Sequence, residues 1–118
     1  MVAAHYDLRI EQGAHYERVL RLSNQDAGAP LDLTGCTVHA QIRVRHGAPD
    51  PLYELTTANG RLVITDPAAG LVRLRIPADD SVTWAWRAGV YDVELVDAGG
   101  RPLRLMKGAV LVSPEVTR

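Results

Sequence analysis

Apolar and polar residues alternate with a period of two along most of the chain, the pattern of strands with one face buried and one in water. The cleanest case runs from Cys36 to Arg45. Cys36, Val38, Ala40, Ile42 and Val44 fall on one face, and Thr37, His39, Gln41, Arg43 and Arg45 on the other. Leu71 to Ile76 repeats it, with Val72, Leu74 and Ile76 inward and Arg73 and Arg75 outward. Val90 to Asp97 sets Tyr91, Val93 and Leu95 against Asp92 and Glu94. A slip of one residue would turn each apolar set to solvent, so register is strongly specified.

Other segments are less regular. Tyr6 to Ile10 reads as a short edge strand. In Tyr16 to Leu22, Tyr16, Leu20 and Leu22 share a face with Arg18 while Val19 sits opposite, which predicts a bulge or partial cover on the outer face. Ser23 to Pro30 is a polar turn. Leu52 to Thr57 and Leu62 to Thr65 read as a hairpin through Ala58-Asn59-Gly60, since Asn-Gly accepts the positive φ of tight turns. Leu103 to Val112 is long and nearly continuously apolar, with Gly108 a predicted bulge or kink. The helical candidate is Pro77 to Trp86, where Pro at the start and Asp79 and Asp80 in the first turn fit a short helix entrance.

These elements predict an all-β fold, an immunoglobulin-like two-sheet antiparallel β-sandwich of about eight strands with one short helical crossover. A small closed β-barrel is the alternative. At 118 residues the chain predicts one domain, 1–118, with short exposed N- and C-terminal segments. With no Phe, the core must be built from Val, Leu, Ile and Ala.

Charge narrows the partners. Thirteen basic and 14 acidic residues are interspersed, giving a net charge of -1. Such balance supplies no basic field of the kind that draws nucleic acid or an anionic membrane. No apolar run approaches the roughly 20 residues needed to span a bilayer, and Met1 to Gln12 lacks the build of a signal peptide. A cytosolic site of synthesis is expected. Cys36 is the single cysteine, which rules out an intrachain disulfide and suits a reducing compartment.

Candidate chemistry is sparse. His5, His15, His39 and His46 lack metal-ligand spacing, so no metal and no cofactor is expected. Asp92 and Glu94 share a strand face about 7 Å apart by strand rise, a spacing that suits a carboxylate pair but is ordinary on a half-solvated sheet. Ser23, Ser81 and Ser113 have no nucleophile motif, and Cys36 falls in the inward register. A non-enzymatic role is the expectation.

Two features point to interaction instead. Trp84 and Trp86, at i and i+2, would either form a stacking platform for sugar, as in a carbohydrate-binding module, or plug the end of the core with one ring inward and one near the rim. Arginine outnumbers lysine twelve to one. Arg43, Arg45, Arg73 and Arg75 lie outward on two strands, where planar guanidinium groups favour bidentate links to a neighbour's carboxylates; they read as solvated faces otherwise. Arg43, Arg45, Arg73, Arg75, Trp84 and Trp86 are the interface candidates.

Several motifs occur together along the chain. Tyr6-Asp7-Leu8-Arg9-Ile10-Glu11-Gln12-Gly13 comes first, then Asp32-Leu33-Thr34-Gly35 after a polar turn, then Ala40-Gln41-Ile42-Arg43 and Leu55-Thr56-Thr57. Ala88-Gly89-Val90-Tyr91-Asp92-Val93-Glu94-Leu95 and the closing Val112 to Arg118 complete the set. In this order they resemble the small β-sandwich proteins of tailed-phage baseplates, in particular the N-terminal domain family of upper baseplate proteins and related short prophage tail proteins. Cys36 stands where that family usually has an aromatic, and Val93 where it has Leu. The resemblance carries no catalytic residue. It implies a virion structural protein at the tail tip or baseplate, made in the host cytoplasm, docking onto other tail proteins or onto itself in threefold or sixfold arrangement. With the chain stopping straight after the domain, it implies an adaptor rather than a receptor binder.

Overall fold

Strands form where the alternation places them, and their inward faces meet in one shared core. The computed structural model describes residues 4–24 and 28–116. The middle of the expected polar turn, Gln25 to Ala27, and the outermost residues, Met1 to Ala3 and Thr117 to Arg118, lie outside the described residues. The order is β1 (Ala4–His5), β2 (Leu8–Glu11), β3 (Tyr16–Arg21), β4 (Ser23–Asn24), β5 (Ala29–Pro30), β6 (Thr37–Arg43), β7 (Tyr53–Thr56), β8 (Leu62–Asp66), β9 (Leu71–Ile76), α1 (Ala78–Ser81), β10 (Ala88–Val96) and β11 (Pro102–Ser113).

A six-stranded sheet runs β1-β11-β10-β6-β7, with β2 continuing the edge that β1 begins on β11. A three-stranded sheet, β3-β9-β8, faces it, and β4 and β5 form a small separate ladder. The sheets do not join into a barrel; the fold is an all-β sandwich. β1 and β2 run parallel to β11, and the other pairings are antiparallel. Leu8, Ile42, Val93 and Val110 from the larger sheet meet Leu20, Val72 and Leu74 from the smaller, all nearly inaccessible to water. Each such side chain contributes about 1.5–3 kcal/mol on burial, so aliphatic packing substitutes for the missing phenylalanines.

Several local expectations are corrected. Ala58-Asn59-Gly60 does not close a hairpin: β7 pairs with β6 and β8 with β9, so the turn carries the chain from one sheet to the other. Asn59 shapes this arch. Its Oδ1 accepts from the N–H of Thr56 and of Arg61, both at 2.9 Å, and its Nδ2 donates to the Glu54 carbonyl. The helix is a single turn, Ala78–Ser81, after which a turn at Val82 and Thr83 leads into an irregular segment that carries both tryptophans. β6 ends at Arg43, two residues early, because Leu52 N–H takes the Ile42 carbonyl and the chain must turn back. Val44 is therefore exposed rather than inward. Cys36 lies in the turn before β6 and is only half-buried.

Around Val19, the β3–β9 register is unbroken, so there is no bulge, and Val19 is simply 66% exposed. Arg18 shares a face with Tyr16 because its guanidinium lies over that ring, 4.4 Å from the centroid. The bulge in β11 falls at Leu105, where Val93 faces Met106 and Glu94 faces Arg104, and not at Gly108. Gly108 serves a close approach instead. A Cβ there would sit 2.0 Å from the Tyr6 carbonyl oxygen, where the N-terminal edge steps from β1 to β2.

The D-L-T-G motif proves to be a turn with one inward anchor. Asp32 Oδ1 accepts from the Thr34 N–H and hydroxyl, and the hydroxyl hydrogen bond in particular holds its carboxyl below the usual range. Leu33 is buried, and Gly35 takes φ +75°, which side-chain-bearing residues rarely adopt.

Candidate interaction surfaces

The outer face of the larger sheet is built from every second residue of β10, β6, β7 and β11, and its central carboxylates, Asp92 and Glu94, are paired across strands. His39 Nε2 lies 3.2 Å from Glu94 Oε1 across a cross-strand pair. Arg104 Nε lies 3.2 Å from Asp92 Oδ2. Arg43 turns back on its own sheet, donating to Gln41 Oε1 at 2.6 Å and to the Ala48 carbonyl. Beside it, Arg45, His46 and Gly47 form the exposed rim of an open cleft of about 200 Å³ floored by Val90. Asp92 and Glu94 are thus engaged at home, and so is Asp97, through Arg101 at 3.2 Å.

The outer face of the smaller sheet is different. Its central row is Val19, Arg73 and Val63, one from each strand. Glu17 faces Arg75 on one side of that row, and Arg21 faces Leu71 on the other. Glu17 is held by His15 at 3.0 Å, and that hydrogen bond lowers its carboxyl. Among the described residues, no ion pair reaches Arg21, Arg73 or Arg75, and the buried Nε–H of Arg73 has no acceptor. The four outward arginines expected from the sequence therefore divide. Arg43 and Arg45 belong to one layer, Arg73 and Arg75 to the other, on opposite sides of the molecule.

One end of the sandwich is closed by aromatics. Trp84 is 8% exposed and stacks on Trp86, with centroids 4.6 Å apart and planes at 28°. Tyr53 meets Trp84 edge-on at 5.1 Å. The two indoles thus cover each other, Trp84 inward and Trp86 near the rim, and present no side-by-side platform. The Tyr53 hydroxyl donates to Asp80 Oδ2, and Arg61 Nε reaches both the Tyr53 hydroxyl and Asp80 at 2.9 Å. Burial first, and the Asp80 hydrogen bond second, push the Tyr53 phenol up to about 12. Asp80, expected as a helix-start acid, is a cross-sheet clamp.

Sequence reasoning missed the residues that tie this end together. Gln12 is buried; its Nε2 donates to the carbonyls of Val82 at 3.1 Å and Trp84 at 2.9 Å, and its Oε1 accepts from Glu115 N–H at 3.1 Å. Ser81 is fully buried, and its Oγ accepts from Gly13 N–H at 2.9 Å. Local patterning gave no sign of these contacts, because they join positions about seventy to a hundred residues apart. His5 pairs with Asp7 at 2.9 Å, so three of the four histidines sit beside one carboxylate each. Among the described residues, no three His, Cys, Asp or Glu side chains gather as a metal site. Nor is any described helix long and apolar enough to cross a membrane. Burial, with Asp97 nearby, raises the Cys36 thiol, the reverse of what an activated nucleophile needs.

No family model matches this chain, and no curated protein matches it. Among solved structures, it is similar to the N-terminal domain of phage TP901-1 ORF48. The match covers 96% of this chain and 99% of that one, with 11% sequence identity and a TM-score of 0.56. The sandwich expected from the motif resemblance is therefore a fold this chain shares, end to end, with a phage protein domain.

Proposed function

We propose that this chain is a non-enzymatic structural module of a phage tail tip or baseplate, acting as an adaptor through protein–protein contacts. The observation that carries this reading is the end-to-end fold match to the N-terminal domain of phage TP901-1 ORF48. The motif resemblance to upper baseplate proteins, from Glu11-Gln12-Gly13 to the Tyr91-Asp92-Val93-Glu94 strand, supports it from the sequence alone. Conserved architecture at 11% identity is what a structural role allows, since a sandwich tolerates substitution wherever the alternation and turns are kept. Its partners are other tail proteins and further copies of itself in threefold or sixfold arrangement, in a virion assembled in the bacterial cytoplasm. Arg43, Arg45, Arg73, Arg75 and Trp86 are the side chains placed to meet them, with Trp84 supporting Trp86 from beneath.

The test is to induce the encoding prophage and count this protein in purified particles by quantitative mass spectrometry. A few to a few dozen copies per virion, in multiples of three or six, is the expected result. Expression without incorporation would overturn the reading.

A further inference from the structure

We infer that the outer face of the three-stranded sheet, centred on Val19, Arg73 and Val63, is the docking surface, and that its occupant is a different tail protein presenting an apolar patch bordered by carboxylates. The inference rests on the proposed tail role and adds the face and the chemistry of the partner.

Two unlike faces make the case. On the larger sheet the central side chains are engaged within the face: Arg104 with Asp92, His39 with Glu94, and Arg43 with the neutral Gln41 amide and Ala48 carbonyl. On the smaller sheet, no ion pair reaches Arg21, Arg73 or Arg75 among the described residues; of the acids on that face, Glu17 is held by His15 with Arg73 and Arg75 nearby, and Asp66, opposite Leu71, accepts from the Ala69 N–H. Val19, 66% exposed, stands beside Arg73 on one strand, and Val63 flanks it on the other. Arginine is enriched at interface hot spots, and its guanidinium takes carboxylates bidentately once water is excluded, while exposed Val19 supplies apolar area beside it.

Three strands about 4.8 Å apart and six residues long give a face of roughly 14 by 20 Å. That is about a third of the ~800 Å² each partner buries in a standard interface, so this patch is its centre rather than its whole extent. A second copy meeting it face to face would set Arg21, Arg73 and Arg75 against themselves. The carboxylates at the centre of the opposite face, Asp92 and Glu94, are already engaged. The uncommitted charge therefore fits a foreign acidic surface better than this chain's own.

Particles are prepared with the wild-type chain, with Val19→Asp combined with Arg73→Glu, and with Arg43→Glu combined with Arg45→Glu. A photo-cross-linker at position 19 reports the neighbour. The first pair is expected to cut copies per particle by at least about tenfold, the effect of removing an interface hot spot. The cross-link is expected on a segment of another tail protein rich in Asp and Glu. Thermal melting checks each fold; should the first pair melt early, Val19→Asp with Arg21→Glu replaces it, both side chains being exposed. Wild-type incorporation of the folded variant, or a cross-link to another copy or to a carboxylate-free segment, overturns the inference and leaves the tail role standing. Wild-type protein absent from particles overturns the tail role, and this inference with it.

Discussion

Gln12 makes three hydrogen bonds to main-chain groups of two distant segments, and no other described side chain spans that junction of the N-terminal edge, the tryptophan segment and the C-terminal tail. Gln12→Leu keeps the volume but leaves two carbonyls and one N–H without their partner. A buried group left unsatisfied costs about 1–3 kcal/mol, so a loss of roughly 2–4 kcal/mol is expected in urea denaturation. A loss under half a kcal/mol would show that water replaces the side chain. Gly108 acts by absence. Gly108→Ala places a methyl against the Tyr6 carbonyl, which also accepts from the Tyr91 hydroxyl. Overpacking of this kind costs about 1–3 kcal/mol, and hydrogen exchange should show Tyr6, Asp7 and Ala109 opening first. Gln12 was visible in the sequence only as part of the E-Q-G motif. Its purpose was not, since nothing local to residue 12 indicates that residues 82, 84 and 115 surround it.

At the scale of elements, the segment from α1 through Trp86 is held by aromatic packing and by the Tyr53–Asp80–Arg61 cluster. The phenol of Tyr53 is raised from its ordinary value near 10 to about 12 in the folded chain. A folded-state pKa above the unfolded one stabilises fully below the unfolded value. That contribution is lost as pH climbs from about 10 towards 12. The melting temperature of the wild type should therefore fall across that window. Tyr53→Phe should start lower and fall less. Burial also raises Tyr91, but that group is present in both proteins and cancels in the comparison. Identical pH profiles would show that Tyr53 does not carry the effect. The element itself was half legible: Pro77 and the paired acids marked a helix start, but one turn is too short to set which way Asp80 points.

Both sheets contribute to one hydrophobic cluster, so neither has a core of its own. Unfolding should be a single transition, with circular dichroism and tryptophan fluorescence coincident, and two resolved midpoints would contradict this. The N-terminal edge pairs with β11, and Asp7 accepts from Ala109 N–H across 102 positions. Such distant pairings slow folding, and refolding in milliseconds to seconds is expected by stopped-flow fluorescence.

The sequence by itself determined which residues face inward within the regular strands, though not at the ends of β6, where Cys36 is half-buried and Val44 exposed. Alternation assigns them strand by strand, and a one-residue slip would expose a whole apolar row, so Val38 to Ile42, Val72 to Ile76 and Tyr91 to Leu95 are buried as patterned. It also determined the turn chemistry of Asn59-Gly60. Only the tertiary structure decided which strands become neighbours. The Ala58-Asn59-Gly60 turn would serve a hairpin or a passage between sheets equally well. It is the pairing of β7 with β6 and β8 with β9 that selects the passage. The same holds for the arginines: alternation turns Arg43 and Arg73 outward, but to faces on opposite sides. Local pattern specifies in or out because burial is a property of one residue's environment. Neighbourhood depends on contacts between distant segments, and several pairings satisfy the same local pattern.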